Sequence, residues 1–88
     1  MKGSMDDDFK RELKILIIEA CEKEITVDEV GDNDAMFGEG TALALDSLDT
    51  LQVSMEIQRV YGVVLADSKK LRRVFTSINS LADHLKPV

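Results

Sequence analysis

Leu45-Asp46-Ser47-Leu48-Asp49-Thr50-Leu51 is the stretch on which the reading of this chain turns. Asp46 is suited to cap a helix, and Asp49 puts a carboxylate in its first turn, where unsatisfied N–H groups and the macrodipole favour negative charge. The helix is expected to run to Tyr61, with Gly62 as its C-terminal cap. At about 100° per residue, the apolar residues of this helix fall into two stripes rather than one. Val53, Ile57, Val60 and Tyr61 form a stripe suited to a core. Leu48, Leu51 and Met55 form another on roughly the opposite side, beside Gln52, Glu56 and Arg59. The second stripe either packs under a neighbouring segment or is a docking strip with a polar rim, where methionine allows adaptable contacts.

Ser47 sits at the first turn, where converging N–H groups favour an anion, so a phosphate on its hydroxyl would lie in a favourable field. The other reading is that Ser47 simply helps to cap the helix.

Residues 26–46, which precede this helix, read as a long loop. Three glycines (Gly31, Gly38, Gly40) and a cluster of Asp and Asn break any period. Val27, Val30, Met36, Phe37, Leu43 and Leu45 are scattered through it, which argues that the loop is packed down with Phe37 as one anchor. Its acids are expected to be solvated. Asp32-Asn33-Asp34 hints at calcium, but Met36, Phe37 and Leu43 stand where an EF-hand needs a polar ligand, glycine and glutamate, so no metal site is expected.

Upstream, Phe9, Leu13, Leu16, Ile17 and Ala20 share one helical face, predicting a helix from the acidic Asp6-Asp7-Asp8 run to about Glu24. Residues 1–5 have no periodicity and read as a disordered stretch or an expression remnant outside a single domain over 6–88. Downstream, a short third helix is expected at roughly 68–73. A last helix, capped by Thr76 or Ser77, carries Ile78, Leu81, Ala82 and Leu85 on one face. The fold class is therefore all-α: a small four-helix bundle of three main helices and a short one, with a long first loop.

A chain of 88 residues and 9.8 kDa can bury one thin core but not a deep enclosed active site. Residues 1–46 hold 13 acids and 5 bases, net −8, whereas residues 47–88 hold 4 acids and 6 bases, net +2. The overall charge of −6 repels phosphate backbones and acidic membranes, so neither nucleic-acid binding nor membrane insertion is expected, and basic protein partners are. No apolar run is long enough to span a bilayer, there is no secretory h-region, and a lone Cys21 cannot form an internal disulfide, which points to a cytoplasmic chain. His84 is the only histidine and lies far along the chain from Ser47. With no Gly-x-Ser-x-Gly elbow either, no catalytic residues are assigned. Cys21 is expected to pack rather than react. Lys69, Lys70, Arg72 and Arg73 make a small basic cluster.

The Asp46-Ser47-Leu48 motif resembles the attachment site of acyl carrier proteins. The resemblance extends over roughly residues 6–85: size, acidity, the long loop with Phe37-Gly38 and Leu43, the serine opening helix two, and the short third helix. It implies that Ser47 carries 4′-phosphopantetheine, installed from coenzyme A by a phosphopantetheinyl transferase, and that the arm holds acyl groups as thioesters for acyl-transferring and ketosynthase-type enzymes. It further implies a monomer that is not itself an enzyme. Asp46, Leu48, Asp49, Leu51, Gln52, Met55 and Glu56 would be partner-docking residues, and Val53, Ile57 and Leu81 would line an acyl chain. Fatty-acid-synthesis carriers have a strongly acidic helix two; here residues 47–61 hold only Asp49, Glu56 and Arg59 as charges. That departure, with the basic Lys69–Arg73 region, favours a specialised fatty-acid-like, polyketide or modified-lipid pathway. The alternative of another class is a cofactor-free helical protein-interaction module using the Leu48/Leu51/Met55 strip.

Overall fold

Three helices, α1 (Asp7–Ala20), α2 (Ser47–Tyr61) and α3 (Ile78–Leu85), each begin at a side chain that accepts from their own first turn. Asp6 accepts from Phe9 N at 3.1 Å, Asp46 from Asp49 N at 2.9 Å and Ser77 from Ser80 N at 3.1 Å, each satisfying a donor the helix cannot satisfy itself. The computed structural model describes residues 2–38, 40–65, 71 and 73–87, and over these the protein is all-α. The expected short helix at 68–73 lies largely outside the described residues, as do Lys69, Lys70 and Arg72 of the basic cluster.

α2 begins and ends where the sequence places it. Gly62 follows Tyr61 in the left-handed region (φ 73°) and donates its N–H to the Gln58 carbonyl at 3.0 Å. α1 instead stops short of Glu24, at Ala20. Glu22 takes a left-handed conformation (φ 52°) and donates to Glu19 O at 3.2 Å, while Lys23 N donates to Ile18 O at 3.0 Å. These two bonds are a Schellman termination. A non-glycine residue at its left-handed position leaves no compositional mark, which is why the sequence does not show the stop.

The core joins Phe9, Leu13 and Ile17 of α1 to Val53 and Ile57 of α2 and to Ile78, Leu81 and Ala82 of α3, with Phe75 fully enclosed. The loop 26–46 is packed down as expected, but its anchors differ. Met36, Leu43 and Leu45 are buried, whereas Phe37 is only half-buried. Phe37 forms an isolated parallel bridge with Leu45, and alternation along this extended piece turns Met36 inward and Phe37 outward. Val60, expected in the core stripe, is 50% exposed, because α1 covers only part of that face of α2.

In place of the disordered stretch expected at 1–5, Gly3–Met5 form a 3-10 turn against α3. Gly3 N donates to Lys86 O at 2.8 Å and Ser4 N to Asp83 Oδ1 at 2.9 Å. A Cβ on Gly3 would collide with the Ala82 carbonyl, so the close approach requires glycine here. A single turn is too short to leave a periodic signal.

The loop acids are not all solvated either. Asp32 accepts from Lys10 Nζ at 2.9 Å and from Lys14 Nζ at 2.7 Å, pinning the loop to α1, while its carbonyl accepts from Asn79 N of α3 at 3.0 Å. The hydrogen bonds from Lys10, then Lys14, hold the Asp32 carboxyl below its ordinary range, and the Asp32 hydrogen bond holds the nearly buried Lys10 above its own. Asp32 therefore contributes stability above the unfolded carboxylate value of about 3.9, lost as pH falls through its lower folded value. Lys10 contributes below the unfolded lysine value of about 10.4, lost as pH rises through its higher folded one. Asp32→Asn should lower stability at neutral pH by about 1 kcal/mol, the charged hydrogen bonds being discounted for partial exposure. Urea midpoints of the two proteins should converge as pH falls below the ordinary carboxylate range, where wild-type Asp32 takes up its proton. A difference independent of pH would mean that shape, not charge, pins the loop.

Candidate functional site

The first turn of α2 gathers the residues singled out in the sequence. Asp46, not Ser47, is the cap: its Oδ1 accepts from Asp49 N, and Asp49 Oδ2 in return accepts from Asp46 N at 3.3 Å. This reciprocal capping box removes the reading in which Ser47 caps the helix. Ser47 is the first helical residue and is exposed; among the described residues its hydroxyl makes no hydrogen bond. The N–H groups of Ser47 and Leu48 have no intrahelical acceptor at this position. The field at Ser47 is more mixed than the sequence suggests. The helix end favours an anion, but the carboxylates of Asp46 and Asp49 stand in the same turn and occupy donors a free anion would use. The turn therefore suits a phosphate attached covalently better than one bound from solution.

Ser47 lies at the edge of a cleft of about 600 Å³ walled by Phe37, Leu45, Thr50, Leu51 and Leu71. The cleft forms because the loop bridge Phe37–Leu45 lies alongside the start of α2. It is largely apolar, with the polar edge at Asp46 and Ser47, so an extended chain fixed at Ser47 has an apolar surface to lie on.

The second stripe of α2 is exposed. Leu48, Leu51 and Met55 are 63%, 53% and 62% accessible, so neither the loop nor, among the described residues, another helix covers them. Gln52 is exposed beside them and Glu56 half-buried. Glu56 is held by Arg59 in a forked pair with a shortest distance of 2.7 Å, which keeps its carboxyl below the ordinary range. Met55→Glu should therefore change stability by under about 0.5 kcal/mol. A large drop in melting temperature would show that Met55 packs in the core.

The remaining predicted residues lie elsewhere. Asp49 is turned partly inward: besides closing the capping box it pairs with Lys23 Nζ at 3.3 Å, tying the end of α1 to the start of α2. Sequence pattern cannot show this pair, because it joins residues 26 positions apart. Val53, Ile57 and Leu81 are fully buried in the core. They do not reach the Ser47 cleft, whose walls come from the loop, the first turns of α2 and Leu71.

Cys21 is half-buried, its thiol 3.7 Å from the Asp49 carbonyl; burial first, and then the Asp49 charge, push it up to about 11, so it stays a neutral thiol. His84 lies on α3. Among the described residues no group of three His, Cys, Asp or Glu could hold a metal, and no helix is long and apolar enough to cross a membrane. No model of a known protein family matches this sequence, and no curated protein matches it.

Proposed function

We propose that this chain is an acyl carrier protein bearing 4′-phosphopantetheine on Ser47. The observation that carries the reading is the unencumbered Ser47 hydroxyl. It is the first residue of a helix capped by another side chain, exposed at the edge of an apolar cleft and next to an uncovered apolar strip. The group would supply a terminal thiol that holds acyl intermediates as thioesters. The chain's own residues do the rest. Ser47 anchors the arm, and Asp46 and Asp49 fix the geometry of the turn that presents it. Phe37, Leu45 and Leu51 offer an apolar wall. Asp46 and Asp49 are engaged in the capping box, and on this reading the proton of the Ser47 hydroxyl goes to a base of the modifying transferase.

On this reading the protein is a cytoplasmic, monomeric carrier with no catalysis of its own, completed as a four-helix bundle by a short helix near 68–73. It is modified by a phosphopantetheinyl transferase and served by acyl-transferring and ketosynthase-type enzymes that dock on Leu48, Leu51, Gln52, Met55 and the acids around them. Its sparse helix-two charge, with Arg59 engaged by Glu56, suits dedicated partners in a specialised fatty-acid-like, polyketide or modified-lipid pathway. The exposed strip also fits a cofactor-free interaction module. Incubation with coenzyme A and a broad-specificity phosphopantetheinyl transferase, read by intact mass, separates the two. A carrier gains one phosphopantetheine, and a module gains nothing.

A further inference from the structure

A second groove, of about 480 Å³, runs between α1 and α2, away from Ser47. Its floor is apolar: Ile15, Leu16 and Ala20 from α1 meet Val60 and Tyr61 from α2. Ile15 is 38% exposed and Val60 50%, so two branched side chains, one off the core face of α1 and one from the stripe of α2 expected in the core, are left facing water. Tyr61 closes one end, its ring edge-on to Phe9 at 5.6 Å between centroids.

The rim is acidic. Glu12 and Glu19 stand on the α1 side, and among the described residues no ion pair engages either. On the α2 side, Glu56 and Arg59 neutralise each other. The carbonyl end of α2 adds negative partial charge near Tyr61. The groove thus has an apolar floor and a net negative rim, and the chain as a whole carries −6, so a second copy would bring like charge to it.

We infer that this groove docks a basic amphipathic helix of a partner protein, its apolar face on Ile15, Leu16 and Val60 and its cations against Glu12 and Glu19. Two helices with a shallow apolar furrow between them are the geometry into which a third helix lays an i, i+3, i+4 stripe. Acids at the edge would set orientation and encounter rate more than affinity. None of Leu48, Leu51 and Met55 lines this groove, and Glu56 borders both surfaces, so the groove is a second face of α2 adjoining the strip.

The chain has one tyrosine and no tryptophan, and Tyr61 lines this groove, so a ligand seated there changes its intrinsic emission; each variant is read from its own unliganded signal. The probe is a short helical peptide of leucine, lysine and alanine with leucines at i, i+3 and i+4 spacing, titrated into the Ser47→Ala chain. With no attachment serine present, the result is independent of the carrier reading. A saturable change in Tyr61 emission is expected. It should weaken about tenfold or more with Glu12→Lys plus Glu19→Lys, and measurably with the milder Glu12→Gln plus Glu19→Gln, but not with Met55→Glu. A matched peptide with glutamate for lysine should give no change. The inference is overturned if charge reversal leaves the affinity within about twofold, or if Met55→Glu weakens binding as much as the Glu12 and Glu19 changes do. It is equally overturned if the chain alone sediments as a dimer that Ile15→Glu dissociates, since a second copy would then be the occupant.

Discussion

Ser47→Ala is expected to abolish phosphopantetheinylation completely and to leave a folded, helical chain. The hydroxyl is the acceptor in the proposed reaction, and no neighbouring side chain replaces it. Thr50, the next hydroxyl along α2, is buried and donates to the Asp46 carbonyl at 2.9 Å. Ser54 is likewise buried, donating to the Leu51 carbonyl at 2.8 Å. The structural cost of the substitution is small, because Asp46 rather than Ser47 caps the helix. Loss of a genuine cap would cost about 0.5–2 kcal/mol, and Ser47→Ala should fall below that range. Intact mass after treatment with coenzyme A and the transferase measures the first effect, and thermal unfolding the second. Modification of the alanine variant at any residue would defeat the assignment of Ser47. A collapse of stability would show that Ser47 holds the first turn together.

Ile57→Ala should be the most damaging single change on α2. Ile57 is fully enclosed, and removing its outer carbons deletes buried apolar surface and leaves a cavity, at a cost of about 2–5 kcal/mol. A domain of this size has about 5–15 kcal/mol to lose at most, so the variant should unfold at a much lower urea concentration. Met55 lies two residues earlier and 62% exposed, so the pair measures the two faces of one helix. A loss under about 1 kcal/mol at Ile57 would mean that the core can close around the deletion. Because Val53, Ile57 and Leu81 are filled core positions, any acyl chain that reached them would have to displace this packing first. The cleft beside Ser47 is therefore the nearer place for such a chain to rest.

Much of this was legible without coordinates wherever the signal is local. Asp46 and Gly62 bracket α2 because a side-chain oxygen and a left-handed glycine act on backbone groups within four residues of themselves. Period-3.6 spacing put Phe9, Leu13 and Ile17 on one face and Ile78, Leu81 and Ala82 on another, and both are buried. The same spacing gave α2 two apolar stripes, but periodicity cannot say whether a stripe is covered. That depends on what the rest of the chain places against it. Tertiary structure left Leu48, Leu51 and Met55 open, and let Val60 join an exposed groove although its position in the period predicts burial. It also turned Asp49 toward Lys23 and made Asp32 a clasp for Lys10 and Lys14, pairings between residues more than fifteen positions apart that no local pattern carries. Residues 2–5 and the end of α1 carry no such signal for the opposite reason: a single turn of backbone hydrogen bonds has no apolar stripe, and neither a lone Gly3 nor a left-handed Glu22 marks it. Local chemistry thus determined where the helices of this protein start and which serine stands at the head of α2. Only the packing of α1 and the loop against α2 decided which of its faces meets water, because burial depends on neighbours that are distant in sequence.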